Sequence, residues 1–339
     1  MERQTASPVI ATISLGSQWQ TLDPFLFCAH HEDAYPNGNG SFGPDATLDG
    51  RSIGSDFSGT DGWSMYHGSA VPGFPQHPHR GFETITFARR GLIDHSDSLG
   101  ATARFGKGDV QWMTAGSGIV HSEMFPLVNT DSPNHTELFQ VWLNLPAQDK
   151  LVDPYFTMLW SEDIPTLELP DGGSVTVIAG RLGDIEPPSP PPNSWAARAE
   201  SDVAMWHISL PSASTWTIPK GAASSARVLY QFNGSGLTID EQRFDERTGV
   251  QLRADIDLEI RSDDQPIELL LLQGTPIGEP VAQYGPFVMN TRAEIEQAFT
   301  DYQKTEFGGW PWTSDDPVHS ATDGRFAVHA DGYREDAPA

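Results

Sequence analysis

A single cysteine, Cys28, occurs in the 339 residues, which excludes an internal disulfide and any multi-cysteine zinc or iron–sulfur site. Positive charge is also scarce. Lys and Arg number 20 against 46 Asp and Glu, the only lysines being Lys107, Lys150, Lys220 and Lys304, and the formal net charge is -26. A field of that sign repels phosphate backbones, so direct nucleic-acid binding is not expected. The excess acid is spread along the chain and reads as a solvated surface. No run approaches the ~18 apolar residues that span a bilayer, and Met1–Gln4 lead into a mixed segment without the basic-then-apolar order of a secretory signal. A cytoplasmic protein without membrane contact is the expectation.

What the chain has in quantity is turns, with 32 glycines and 27 prolines. Short apolar runs lie between them: Thr84–Phe87 and Phe139–Leu143, then Val175–Ile178, Met205–Leu210, Ala226–Tyr230 and Ile267–Leu272. Such spacing predicts antiparallel sheets closed or sandwiched on themselves, and the length favours two domains. The first is expected over 1–148, with a polar insertion at about 30–62; the second over 155–290. Pro187–Pro192 cannot pair in a central strand and is expected as an exposed loop. A helix is signalled by Thr291 and Glu294, which form a capping box, followed by the apolar stripe Ile295, Ala298, Phe299 and Tyr302. Gly308–Gly309 should stop it, and residues 291–339 are expected as this helix and a loosely held acidic tail.

Chemistry concentrates in the first domain. In His77-Pro78-His79 two imidazoles at i, i+2 project from one face of a strand, within reach of one ion. Gly118-Ile119-Val120-His121-Ser122-Glu123 offers an imidazole and a carboxylate at the same spacing. One such pair is unremarkable; two matched pairs in one β-rich domain point to a metal site of His77, His79, His121 and Glu123. Glu83 shares their parity but lies some 13 Å along an uninterrupted strand, so it reaches the ion only through a bulge at Gly81. Otherwise it pairs with Arg80 or orients an imidazole. Three imidazoles and a carboxylate suit ferrous iron, and also manganese, nickel, copper or zinc. His67, His95 and His135 could line the cavity, although single histidines are more often structural; the adjacent His30 and His31 would face opposite sides of a strand. His207 alone cannot repeat the site in the second domain, which is expected to hold no metal.

The segments His77–Thr84, Gly108–Gly116 and Gly118–Glu123, with Asp23-Pro24-Phe25, Gly278–Val281 and Gly285–Thr291, together resemble the pirin family over most of the chain. The resemblance implies an all-β bicupin, two antiparallel jelly-roll barrels with a short C-terminal helix. It also implies iron held in the N-terminal barrel by His77, His79, His121 and Glu123. The 27–63 insertion, the loop at 187–192 and the tail past Trp312 depart from the pattern.

Pirins similar to quercetin 2,3-dioxygenase open a flavonol's central ring with O2 and release CO. Carried over, this implies a small aromatic substrate such as a flavonol, with Glu123 both holding the metal and accepting the hydroxyl proton. Phe82, Trp112 and Met113 are candidates to touch the substrate, with core packing the plainer role. Other pirins regulate transcription or bind metabolic enzymes, which would make this an iron-dependent partner-binding protein without turnover.

Overall fold

The computed structural model of the chain describes residues 7–338; the Met1–Gln4 segment lies outside them. Two compact units are present, one of residues 1–29 with 162–278 and the other of 30–161 with 279–339. Both are almost wholly β, in jelly-roll sheets that do not close into single barrels. Each unit therefore takes residues from two separate stretches of the chain. Strand pairing explains the exchange of ends: Val9–Ser14 pairs antiparallel with Thr248–Arg253, and Phe326–Val328 pairs with Thr102–Gly106.

In the first unit a seven-stranded sheet runs from Val9–Ser14 through Ala226–Asn233, Ile267–Gly274 and Ala204–Leu210 to Thr166–Glu168. A four-stranded sheet includes Thr215–Ile218 and Leu258–Ser262. Alternate residues such as Val175, Val177, Trp206, Ile208, Leu269 and Leu271 form one buried cluster with Ile218, Leu237 and Ile260, the period-two burial of a sheet with one face on the core. Pro187–Pro192 carry no strand.

The second unit holds the histidine motifs. Its six-stranded sheet has the order Arg334–Asp336, Phe326–Val328, Thr102–Gly106, Leu92–Asp97, Ile119–Met124, Gly73–His79. Another sheet contains Tyr155–Leu159, Asp109–Thr114, Phe82–Arg90, Asn134–Asn144 and part of Phe25–Tyr35. Gly73–His79 is an edge strand, which is why Pro75 and Pro78 can sit in it without breaking a ladder.

Three expectations are corrected here. Residues 30–35, expected within the polar insertion, complete the strand Phe25–Tyr35, and the rest of the insertion is held by specific contacts. Buried Asp33 accepts from Tyr66 Oη (2.7 Å) and Ser64 N (2.8 Å), and the Arg51 guanidinium lies 3.4 Å over the Trp63 ring. The helix, Arg292–Thr305, has the expected capping box but ends earlier than Gly308, at Glu306 in the left-handed conformation (φ 49°). Its Ile295 and Ala298 pack with Val120, Phe287, Met289 and Phe307.

The tail, finally, is anchored. Arg104, fully buried, forks onto Asp94 (Nε–Oδ1 2.6 Å, Nη2–Oδ2 2.7 Å) and also donates to the carbonyl oxygens of His319 and Ser320. Asp94 in turn accepts from His319 N. Composition alone made the tail look solvated; its attachment depends on a buried ion pair more than 200 residues away.

Candidate metal centre

His77, His79 and His121 come together. A ligating nitrogen from each lies within 4.8 Å of the others, and among the described residues this is the one such group of histidine, cysteine and carboxylate side chains. Register explains the convergence. His77 stands directly opposite His121 and His79 opposite Ile119, so both i, i+2 pairs point from the same face. A register shift between Phe74 and His77 brings Phe74 opposite Glu123. Ring centroids are 4.5 Å apart for His77–His121, 4.8 Å for His77–His79 and 5.0 Å for His79–His121.

Hydrogen bonding suits these rings to a cation. His77 Nδ1 lies 2.9 Å from Pro75 O and His79 Nδ1 3.4 Å from Pro286 O. A carbonyl accepts only from N–H, so both rings keep the Nε2 lone pair for another partner. His121 is wholly buried, and neither of its nitrogens has a hydrogen-bond partner. An unpaired buried imidazole is costly unless something electron-poor occupies its lone pair, so the donor set fits a metal ion.

Burial is the first cause of the titration behaviour here. It pushes His77 down to about 4, with Pro75 O opposing, and holds His79 and His121 well below the ordinary imidazole value. Neutral imidazole is the metal-binding form.

Glu123 sits beside the three rings, outside the tightest group. Its Oε2 lies 3.9 Å from His121 Nε2, while Thr86 Oγ1 donates to Oε1 at 3.0 Å and Gln140 Nε2 to Oε2 at 3.4 Å. Burial raises its pKa, against the opposing pull of His95 and the Thr86 bond. Thr86 and Gln140 were not singled out from the sequence. Strand parity could have found Thr86, since Phe82, Thr84 and Thr86 share a face; Gln140 is directly opposite Thr86 across two strands.

The remaining candidates separate clearly. Glu83 is not on the His77 strand, because Gly81 (φ 85°) ends that strand and the chain passes into the other sheet. There Glu83 accepts from Thr114 Oγ1 at 2.6 Å. Arg80 pairs instead with Asp301 at 2.7 Å. His95 is opposite Glu123, fully buried, with its ring 5.5 Å from His121 and Nε2 3.3 Å from Asp97 Oδ2; it is the single histidine that does line the site. His67 bonds Gly54 O and His135 lies at the surface beside Glu32. His30 meets Glu137 and His31 meets Tyr66.

Phe82, Trp112 and Met113 are all buried. Phe82 packs 5.1 Å from the His79 ring and 4.2 Å from Trp142. Trp112 stands opposite Ile85, whereas Gln111 stands opposite Thr86, so alternation turns Trp112 away from the Thr86 face.

Of the four candidate ligands, only His77 is more than slightly exposed. Phe74, 6.3 Å from the His77 ring, stacks on Tyr66 at 5.1 Å, and the exposed Phe57 lies against both. The approach on this side is aromatic.

Comparison with known proteins gives a consistent result. The family model described as "Pirin" matches residues 7–143, and the "Pirin C-terminal cupin domain" matches residues 205–308. A protein of Pseudomonas aeruginosa named "Putative quercetin 2,3-dioxygenase PA2418" is 39% identical over 238 residues, covering 69% of this chain and 79% of its own. "Pirin-1" of Arabidopsis thaliana is 36% identical over 242 residues, covering 71% and 80%. Among solved structures, a quercetin 2,3-dioxygenase from Acinetobacter baumannii superposes with a TM-score of 0.71 over 90% of this chain and 99% of its own, at 23% identity. That last likeness is one of fold.

Proposed function

The chain belongs to the pirin family, and on that premise we propose that it is a metal-dependent dioxygenase that opens a flavonol such as quercetin with O2 and releases CO. The observation that carries this reading is the convergence of His77, His79 and His121 within 4.8 Å, with the buried His121 ring left without a hydrogen-bond partner. These three and Glu123 would hold one transition-metal ion, ferrous iron being the first choice for a set rich in imidazole and free of thiolate. Such an ion supplies a Lewis acid for a deprotonated substrate hydroxyl and a path for electrons towards oxygen. The relatives named for quercetin dioxygenase support the substrate class.

The chain's own residues do the rest. Glu123 is buried with a raised pKa, which suits its carboxylate to accept the proton of an acidic hydroxyl at Oε2. Thr86 holds the other oxygen. Phe82 and Trp142 close one side of His79 and keep water from it, while the partly open His77 side, flanked by Phe74, admits a flat ring. The single, fully buried Cys28 suits a reducing cytoplasm.

The test measures CO release and O2 uptake with quercetin, on protein reconstituted anaerobically with Fe(II). Turnover should fall about 10²-fold or more in Glu123→Gln if this carboxylate is the general base. Iron bound at one per chain without turnover of quercetin or related flavonols would overturn the enzymatic reading and favour the regulatory one.

A further inference from the structure

Next to the histidine cluster, whose His121 stands opposite Asp97, the second unit contains a separate cavity of about 500 Å³ between the Asp97–Ala101 turn, residues 154–157 and the C-terminal hairpin 329–335. That volume suits a small organic molecule. Leu99, Tyr155 and Tyr333, three of the exposed large hydrophobic side chains, all line this one cavity. Isolated exposed apolar residues need no explanation, but several converging on a concavity mark a binding surface. Tyr333 continues inward through His329 to Phe156 as a ladder of stacked rings, with centroid spacings of 5.8 and 4.8 Å and tilts of 25° and 17°.

Carboxylates outnumber basic groups on the wall: Asp97, Asp331 and Glu335 line it, against His329 and no lysine or arginine. Two of these carboxylates are fixed by the fold: Asp97 accepts from Leu99 N and Ala101 N, and Glu335 pairs with His329 at 2.8 Å and accepts from Trp160 Nε1. Asp331, exposed at the tip of the hairpin, uses Oδ1 to accept from Tyr333 N and leaves Oδ2 for a ligand.

Aromatic faces and carboxylates together favour a cation with an apolar body, through cation–π attraction and charge pairing, and reject anions. We propose that this cavity binds a small organic cation, an ammonium group carried on a flat apolar body, with the charge beside Asp331 and the body against Tyr333 and Tyr155. The hairpin that builds it lies beyond the residues matched by the family models, and none of its lining residues is a proposed metal ligand. Asp97 stands opposite His121 and Phe156 packs 5.4 Å from the His95 ring, so titration with and without Fe(II) separates this cavity from the metal centre.

The test is calorimetric titration of the full chain, with and without Fe(II), using phenethylammonium as the probe and 3-phenylpropanoate as its anionic counterpart. The cation should bind one per chain, and the anion about tenfold or more weakly. Tyr333→Ala should weaken the cation about two- to fivefold, the size of one exposed cation–π contact, and Asp331→Asn should reduce the preference for cation over anion. Both side chains are exposed, so the variants should fold, as circular dichroism would verify. Absence of cation binding at ~10 mM, where only contacts weaker than about 3 kcal/mol escape detection, would overturn the proposal. Equal affinity for the anion, or an unchanged affinity in Tyr333→Ala, would do the same.

Discussion

Replacing His121 with leucine should make the metal-free protein more stable, not less. His121 is wholly buried and neither ring nitrogen has a hydrogen-bond partner, so apo protein carries unsatisfied polar atoms worth about 1–3 kcal/mol. Leucine has similar bulk and no polar atom, and its neighbours, the rings of His77, His79 and His95 at 4.5 to 5.5 Å, can remain in place. The gain should therefore be about 1–3 kcal/mol for His121→Leu in the absence of metal. With metal at 1,000 times its Kd the wild type should gain about 4.1 kcal/mol by mass action and the variant little, which reverses their order.

The assay is anaerobic chemical denaturation with and without Fe(II), following the transition of the unit that contains the site. The other unit serves as an internal reference. A metal-free wild type more stable than His121→Leu would refute the claim that this imidazole is held in place for a ligand. Undiminished stabilisation of the variant by metal would refute its place among the ligands.

Two further outcomes follow from buried charge. Arg104→Met should cost about 3–5 kcal/mol by leaving Asp94 buried without its partner, and should expose residues 313–325 to protease; adding Asp94→Leu should recover part of that loss, so a single variant as stable as the double would refute the argument. Asp33 is pushed up from 3.8 to about 6, chiefly by burial, against its bonds from Tyr66 and Ser64. A carboxyl with a raised native pKa favours folding below its unfolded value and loses that contribution as pH rises through the native one, so Asp33 should cost about 2 kcal/mol between pH 4 and pH 7. Denaturation across that range should show the difference between wild type and Asp33→Asn changing by this amount, and parallel profiles would contradict the shift.

Much of the fold was legible because its signals are local. Short apolar runs such as Val175–Ile178 and Ile267–Leu272 became strands of the expected kind, and the Thr291–Glu294 box capped the helix. The His-x-His and His-x-Glu spacings placed imidazoles on common faces, and registers that the sequence does not state brought the faces together. Glu83 shows the limit of that reasoning. Its parity matched the ligands, yet one left-handed glycine, Gly81, moved it into another sheet. The polar tail misled for a related reason, since its attachment through Arg104 and Asp94 is a contact across more than 200 residues that composition cannot reveal.

The sequence by itself therefore determined the strand-rich architecture, the helix cap and the i, i+2 pairs proposed as metal ligands, because these depend on periodicity and residue chemistry within a few positions. Tertiary structure decided the rest. It chose which chain ends complete which unit, brought Thr86 and Gln140 to Glu123 and His95 to His121, and built the acidic aromatic cavity from the C-terminal hairpin. Those outcomes depend on strand register and on desolvation, which exist only once distant segments have packed.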